Sequence, residues 1–418
     1  MDDEMLSLNR EVYETLTSLT DAPPPAVRTW TGETWGPDDA AVTLVLNHES
    51  ALRVMFMPPS DLVAGEAYIF GDIDIEGDIF AALAFGAGLD DARRHPVKAL
   101  KLMRRLRKLP EAPGHEDMRP GRGGRLTSRS RDEESVRFQS EAGTAFHASF
   151  LDPRMVNSSG YFLDSSETLE QAQLRKLDVA CRKVQLAPGQ RLLDVGCGWG
   201  ALAIHAALEY DVEVVGTTLS PEQAEEARRR VKEAGVEDRV SIQVQDYREV
   251  EGAFDAITSI GMHEHASSKE LGAHFARLYE LLGPRGILLH HGITTRQRKS
   301  KAKPTFISTY VFPDGELHPV ETSIKAAEAA GFMVRDLESL RPSHALTLRH
   351  WVRNLEDNPV IANDEDRVRH RLFRLYLAGS ALTFESETGG SDVYQVVAVK
   401  PDRPWTFGRS FMVAEDDG

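Results

Sequence analysis

The stretch RLLDVGCGWG, residues 191–200, constrains this chain more than any other. Leu192, Leu193 and Val195 bracket Asp194, and Gly196, Gly198 and Gly200 come next at a spacing of two. An apolar run that ends in glycines reads as a buried parallel strand, a tight turn and then a helix, here WGALAIHAALEY. Glycine reaches positive φ and carries no Cβ, so the backbone bends sharply and a ligand can approach it. An acid at the strand end beside such a turn suits a nucleoside with a cationic or neutral tail. A pyrophosphate site would instead carry GxGxxG at a helix N-terminus.

The next segments repeat the unit. Val212, Val214 and Val215 form a second strand ending in Thr217, Thr218 and Ser220, and Ser220-Pro221-Glu222 opens a helix. A third strand, VSIQVQDYREV, ends in Gln245, Asp246 and Tyr247, placed for an adenine. A fourth, FDAITSIGMHEHA, ends in His263, Glu264 and His265, and a fifth, GILLHHGIT, ends in His290 and His291. Strands alternating with helices predict an α/β fold with a Rossmann-like sheet, helices on both faces, and a ligand at the carboxyl ends of the strands. Two histidines at i, i+2 in HEH, without a third ligand motif, do not make a metal site.

At 418 residues the chain is long enough for two domains. The net charge of −16 argues against a nucleic-acid partner and predicts overall repulsion from an anionic bilayer, so any membrane contact must be local. The start, MDDEMLSLNRE, is acidic and polar, unlike a signal peptide, and no apolar run reaches the ~18 residues of a spanning helix. Cys181 and Cys197 read as reduced thiols of a cytoplasmic protein.

Residues 1–95 read as a small α+β domain. There AAVTLVLNHESALRVMFM gives two strand-like alternations, and EAYIFGDIDIEGDIFAALAF gives strand, turn and helix. Residues 96–134 read as a basic helix and linker. The wider stretch 92–131 holds thirteen Lys and Arg against three acids, and HPVKALKLMRRLRKL offers Val97, Leu100, Met103 and Leu106 for one face. Residues 135–400 hold the sheet, and 401–418 form a tail. Both 92–131 and the basic loop 294–304 are candidates for contact with an anionic membrane surface, against the alternative of a solvated linker and loop.

The motifs DVGCGWG (194–200), GTTLSPEQ (216–223), QDYR (245–248), SIGMHEH (259–265), LLHHGIT (288–294), YVFPDGEL (310–317) and HALTLRHW (344–351), with FLDPRMVNSSGYF (150–162) upstream, go beyond a generic sheet. Together they resemble the cyclopropane-fatty-acid synthase family of class I S-adenosylmethionine methyltransferases, over residues 135–400. Within that family the 10-methylene stearate branch is favoured. The stretch YIFGDIDIEGD resembles the N-terminal domain of the longer members, which implies a lipid-handling role for residues 1–95.

The resemblance implies methyl transfer from S-adenosylmethionine to the double bond of an unsaturated phospholipid acyl chain, through a carbocation. It places Asn157, Ser158, Asp194, Gly196, Gly198, Thr218, Leu219, Gln223, Asp246 and Tyr247 around the cofactor. Family members that form rings hold a bicarbonate base through Cys, Glu, His, Ile and Tyr. Here Glu264, His291 and Ile293 match, but Ser159 stands at the Cys position and His344 at the Tyr position. Upstream, QSEAG replaces an HYDLGN-like stretch and introduces Glu141. A protein carboxylate, Glu141 first and Glu264 second, is therefore the expected base, with His291, Ser159 and His344 beside it. The altered site favours an exomethylene product, which needs a partner reductase, over a cyclopropane ring. The chain is expected at the inner face of the membrane as a peripheral protein, with a homo-oligomer open. Rival readings are a small-molecule methyltransferase and a membrane-binding, S-adenosylmethionine-dependent module without lipid chemistry.

Overall fold

The computed structural model describes residues 2–89, 95–119, 143–262, 268–296, 304–311, 317–387, 390–404 and 409. They form two compact units, one of Met1–Arg122, Ala302–Pro313 and Val360–Leu382, the other of Gly123–Lys301, Asp314–Pro359 and Thr383–Gly418.

The first unit opens with helix α1 (Asp2–Thr17) and three short strands, β1 (Ala26–Arg28), β2 (Thr34–Trp35) and β3 (Val42–Leu46). Helices α2 (Ala51–Phe56) and α3 (Asp61–Ile69), strand β4 (Ile73–Gly77), and helices α4 (Ile79–Gly88) and α5 (Pro96–Leu106) come after them. The sheet order is β2-β1-β3-β4. Val42, Leu44 and Leu46 alternate into the core, as a half-buried strand requires.

The structure corrects two local expectations. The second alternation, around ALRVMF, is a helix with Ala51, Leu52 and Val54 buried. The residues EAYI end α3, and the strand begins at Ile73. Ser60 starts α3 by accepting a hydrogen bond from the Val63 amide at 3.1 Å, so the helix carries through apolar residues that look strand-like.

Two later segments cluster with this unit, although the sequence places them within 135–400. The hydroxyl of Tyr310, in helix Phe306–Tyr310, donates to Glu66 at 3.0 Å, and Arg119 donates to both Glu66 oxygens at 2.6 and 2.8 Å. Glu66 is buried, so these donors replace the water it loses. Arg374 donates to the carbonyls of Ile75 and Gly77 at 3.0 and 2.9 Å, which draws residues 360–382 onto the edge of β4.

Helix α5 turns Leu102 and Leu106 inward, not the expected Val97, Leu100, Met103 and Leu106 stripe. Lys98 donates to the Ser18 carbonyl at 2.7 Å, and Arg105 pairs with Glu11 at 2.8 Å. Val97 and Leu100 are 80% and 53% exposed, beside exposed Lys101, Arg104, Arg107 and Lys108. Among the described residues, no helix is long and apolar enough to cross a membrane.

The second unit is built on strands β5 (Arg191–Val195), β6 (Glu213–Thr218), β7 (Val240–Val244), β8 (Phe254–Ile260), β9 (Leu282–Thr295), β10 (Met333–Ser339) and β11 (Ser391–Val399). Their order is β10-β11-β9-β8-β5-β6-β7, parallel from β9 to β7, with β11 antiparallel between β9 and β10. Residues 192–195 are all buried, as a strand covered on both faces must be. Leu192, Val214, Ala256 and Leu289 pack under helices Leu169–Lys183 and Ala201–Tyr210, while Leu193, Ile257 and Leu288 pack against Phe275 and Leu278 of helix Ser268–Leu281. Helices thus cover both faces, the expected class I methyltransferase arrangement. The order reverses at β5, which lies between β6 and β8, and a crevice opens there. One strand end is corrected: β9 runs on to Thr295, so His290 and His291 lie within it.

Candidate active site

A pocket lies beyond the carboxyl ends of β5, β6 and β7. All ten residues expected around the cofactor line it: Asn157, Ser158, Asp194, Gly196, Gly198, Thr218, Leu219, Gln223, Asp246 and Tyr247. Gly196 and Gly198 take φ of 73° and 54°. A Cβ at Gly196 would come within 2.6 Å of the Met262 sulfur, whereas one at Gly198 would meet nothing within 4 Å. The backbone at 198 therefore leaves open space toward the pocket.

Local chemistry sets each side chain. Asp194 is buried, accepts from the Thr258 hydroxyl at 2.8 Å, and has its pKa pushed up to about 6 by that burial. Thr218 donates to Gln223 at 2.8 Å, joining the end of β6 to helix Pro221–Glu233, which Ser220 caps. Asp246 caps the short turn after β7 and accepts from the Arg248 guanidinium at 2.6 and 2.8 Å. That guanidinium also lies over the Tyr247 ring, 5.6 Å from its centre, and Tyr247 bonds His274 at 2.9 Å. The Asn157–Ser158 loop is held by Gln173, whose amide donates to the Ser158 carbonyl at 2.8 Å.

These groups fit S-adenosylmethionine. The open cradle at Gly198 admits a ligand against the backbone, and Tyr247 supplies a flat face. Asp194 is a buried carboxylate with capacity for a cationic tail.

Of the residues expected to act on the substrate, the described ones, Ser159, His291 and His344, are not part of this lining. Ser159 is buried, and its hydroxyl donates to the Gly160 carbonyl at 2.8 Å. Its segment is tied to helix Arg341–Asp357, with the Gly160 amide donating to Thr347 at 2.9 Å and the Phe162 amide to Ser343 at 3.1 Å. His344 stands in the first turn of that helix, edge-on to Phe384 at 4.5 Å, and burial holds its pKa down at about 4. His291 points to the other face of β9 from His290, whose ring packs 5.0 Å from Phe275. Burial, then the neighbouring charge of Lys176, keeps His291 well below the usual histidine range. His291 and His344 are therefore neutral imidazoles within electrostatic reach of each other, and the Nδ1 atoms of both lack a hydrogen-bond partner among the described residues. Glu141 and Glu264 lie outside the described residues. Among the described residues, no group of three or more His, Cys, Asp or Glu is arranged to hold a metal.

Several residues of the site escaped the sequence reading. Lys176 and Arg248 line the pocket, and Gln173 supports its wall. Lys176 and Gln173 had a signal. Leu169, Ala172, Gln173, Lys176, Leu177 and Ala180 recur on one helical face, so two polar residues occupy core positions.

Residues 127–396 match the family described as mycolic acid cyclopropane synthetase. The chain is 35% identical to the "Probable fatty acid methyltransferase" of Pseudomonas putida, over 92% of this chain and 95% of that one. It is 32% identical to a similarly named protein of Mycobacterium tuberculosis, over 94% of this chain and 97% of the relative. The crystal structure of the mycolic acid cyclopropane synthase CmaA1 complexed with SAH and CTAB superposes with a TM-score of 0.59 at 33% identity, covering 65% of this chain and 98% of that one.

Proposed function

Because this chain belongs to the mycolic acid cyclopropane synthetase family, we propose that it methylates the double bond of an unsaturated phospholipid acyl chain and yields a methylene-branched product. The coarser activity, S-adenosylmethionine-dependent methyl transfer to lipid acyl chains, comes with the family. The observation that carries the reading is the convergence of the ten motif residues on one pocket at the sheet's reversal point. When bound, S-adenosylmethionine supplies an electrophilic methyl group. The chain's own residues bind and orient it, exclude water, and take up a proton from the acyl chain.

An alkene that accepts a methyl group becomes a carbocation on the neighbouring carbon. A hydride shift and loss of a proton from the new carbon give an exomethylene group; direct loss with ring closure gives a cyclopropane. Where the base sits decides between them. The family's anionic base needs free hydrogen-bond donors around it. At the Cys position the Ser159 hydroxyl is already spent on Gly160, and at the Tyr position His344 is a neutral imidazole that can donate one hydrogen bond but brings no positive charge. The spent hydroxyl and the missing charge favour a relocated base and the methylene product. His291 and Ile293, at matching positions, favour the ring-forming reading. Expression in a host rich in monounsaturated phospholipids, with mass spectrometry of the acyl chains, tests this. An added methylene unit that fragments as an exomethylene is expected. A ring would transfer the chain to the cyclopropane branch, and unchanged lipids would sink both readings. A methylene product would need a separate reductase to become a methyl branch.

The outward face of α5 is the proposed contact with the inner, anionic membrane surface. Its basic residues lie beside exposed Val97 and Leu100, on a chain whose net charge is otherwise strongly negative. Each basic residue near such a surface contributes about 1 kcal/mol. Replacing Lys101, Arg104, Arg107 and Lys108 with Gln should weaken binding to anionic vesicles by roughly two to three orders of magnitude at low salt, and flatten its salt dependence. Replacing Lys98 and Arg105, which are held by the Ser18 carbonyl and by Glu11, should matter far less to vesicle binding. Equal losses from the two sets would reduce α5 to a structural helix.

A further inference from the structure

We infer that Lys176 is the anchor for the α-carboxylate of the cofactor's amino-acid tail and sets the enzyme's preference for S-adenosylmethionine over analogues that lack this group. Lys176 projects from the core-facing side of helix Leu169–Lys183 and lines the pocket together with Asn157, Ser158 and Asp194. It is 3% exposed. A buried ammonium is costly unless something satisfies it, and lysine is rarely buried without a partner. Yet Lys176 makes no hydrogen bond and no ion pair with any described residue.

Its position narrows what the partner can be. One turn earlier on the same helix face, Gln173 holds the Ser158 carbonyl, so Lys176 sits beside the Asn157–Ser158 loop. Asp194 at the end of β5 and Asp152 both act on it electrostatically, without closing to a salt bridge. Burial outweighs their attraction and lowers its pKa to about 8, which still leaves it charged at neutral pH. The pocket thus presents one fixed cation and one fixed anion at the same end. An α-amino acid carries the complementary pair. Its ammonium suits Asp194 and its carboxylate suits Lys176. The sulfonium and the ammonium of S-adenosylmethionine would both be repelled by Lys176, which leaves the carboxylate as the one charged group of that ligand it attracts.

The inference rests on S-adenosylmethionine as the cofactor, and the test separates the two. Calorimetry would compare S-adenosylmethionine with its decarboxylated form, which keeps the adenosine, sulfonium and amine. The wild-type protein should prefer the carboxylated ligand by about ten- to hundredfold, the size of one charge-assisted hydrogen bond in a buried site. Lys176→Met should erase most of that preference by weakening only S-adenosylmethionine binding, and Lys176→Arg should restore part of it. In the wild type the preference should also shrink as pH rises through about 8, because deprotonation removes the cation. Asp194, Asp152, Cys181 and His291 share that surrounding, and the decarboxylated ligand, measured in parallel, reports what they contribute. If Lys176→Met does not fold, as judged by its thermal melt, the wild-type pH series still decides. A preference that survives Lys176→Met, or one indifferent to pH in the wild type, overturns the assignment. Binding of neither ligand to the wild type overturns the cofactor reading with it.

Discussion

Replacing Gly198 with valine should weaken S-adenosylmethionine binding by about a hundredfold or more and leave the protein folded. Two effects combine. At φ 54° a β-branched residue is strained, at a cost of roughly 1–2 kcal/mol. That cost falls on stability and is small beside the core of the second unit. The larger effect is on the ligand. A Cβ at 198 meets no protein atom within 4 Å, so a valine side chain occupies pocket space instead of clashing with its own fold. Calorimetry should find affinity reduced by about two orders of magnitude or more, equivalent to about 2.7 kcal/mol. Gly198→Ala bears a similar backbone strain with less bulk and should lose less. Gly196→Ala differs in kind, because its Cβ presses on Met262 at 2.6 Å and disturbs the pocket wall itself. Unchanged affinity in Gly198→Val would mean the cofactor does not lie against this turn.

Removing the proposed base should cut turnover sharply without touching cofactor affinity. Glu141→Gln keeps the shape and hydrogen bonding of the side chain but cannot take a proton, so turnover should fall by about 10²–10⁴. Glu264→Gln is the second test. Bicarbonate-free buffer should leave wild-type activity nearly unchanged. The described part of the site motivates this. Bicarbonate is an anion and gains from donors or positive charge. Ser159 donates elsewhere, and His344 would become a cation only below about pH 4. His291 lies well below its usual range as well. Neither imidazole therefore titrates near neutrality, and an acid limb of the rate profile in that region would belong to a carboxylate whose pKa a dry pocket has raised. Full activity in Glu141→Gln with strong dependence on added bicarbonate would restore the ring-forming mechanism.

Much of the second unit was legible in the chain. Short apolar runs at 191–195 and 287–291, each beside a glycine, read as strands buried on both faces. Glycine turns and a Ser-Pro helix start mark where each strand hands over to a helix, and parallel strands linked this way put their carboxyl ends on one edge. The ten residues that line the pocket were readable because each sits at such an end or in a motif beside it. The first unit was harder. Tyr68 and Ile69 favour a strand by residue type, and the helix that Ser60 caps outweighs that preference.

What the sequence by itself determined is local: periodicity, turn chemistry, and hence the order of strands and helices around the pocket. Only the tertiary structure decided which distant groups share a space. Lys176 lies about twenty residues before Asp194 on a separate helix, and its core position there does not say which group it meets. His291 and His344 approach each other from β9 and from the helix Arg341–Asp357. Helix α5 presents Val97 and Leu100 outward because Leu102 and Leu106 claim the core, although the sequence pattern placed Val97 and Leu100 on one face with Met103 and Leu106. Residues 360–382 join the first unit because Arg374 finds the carbonyls of β4. In each case the deciding energy comes from burial and from satisfying polar groups between segments far apart in sequence, and local pattern carries no record of it.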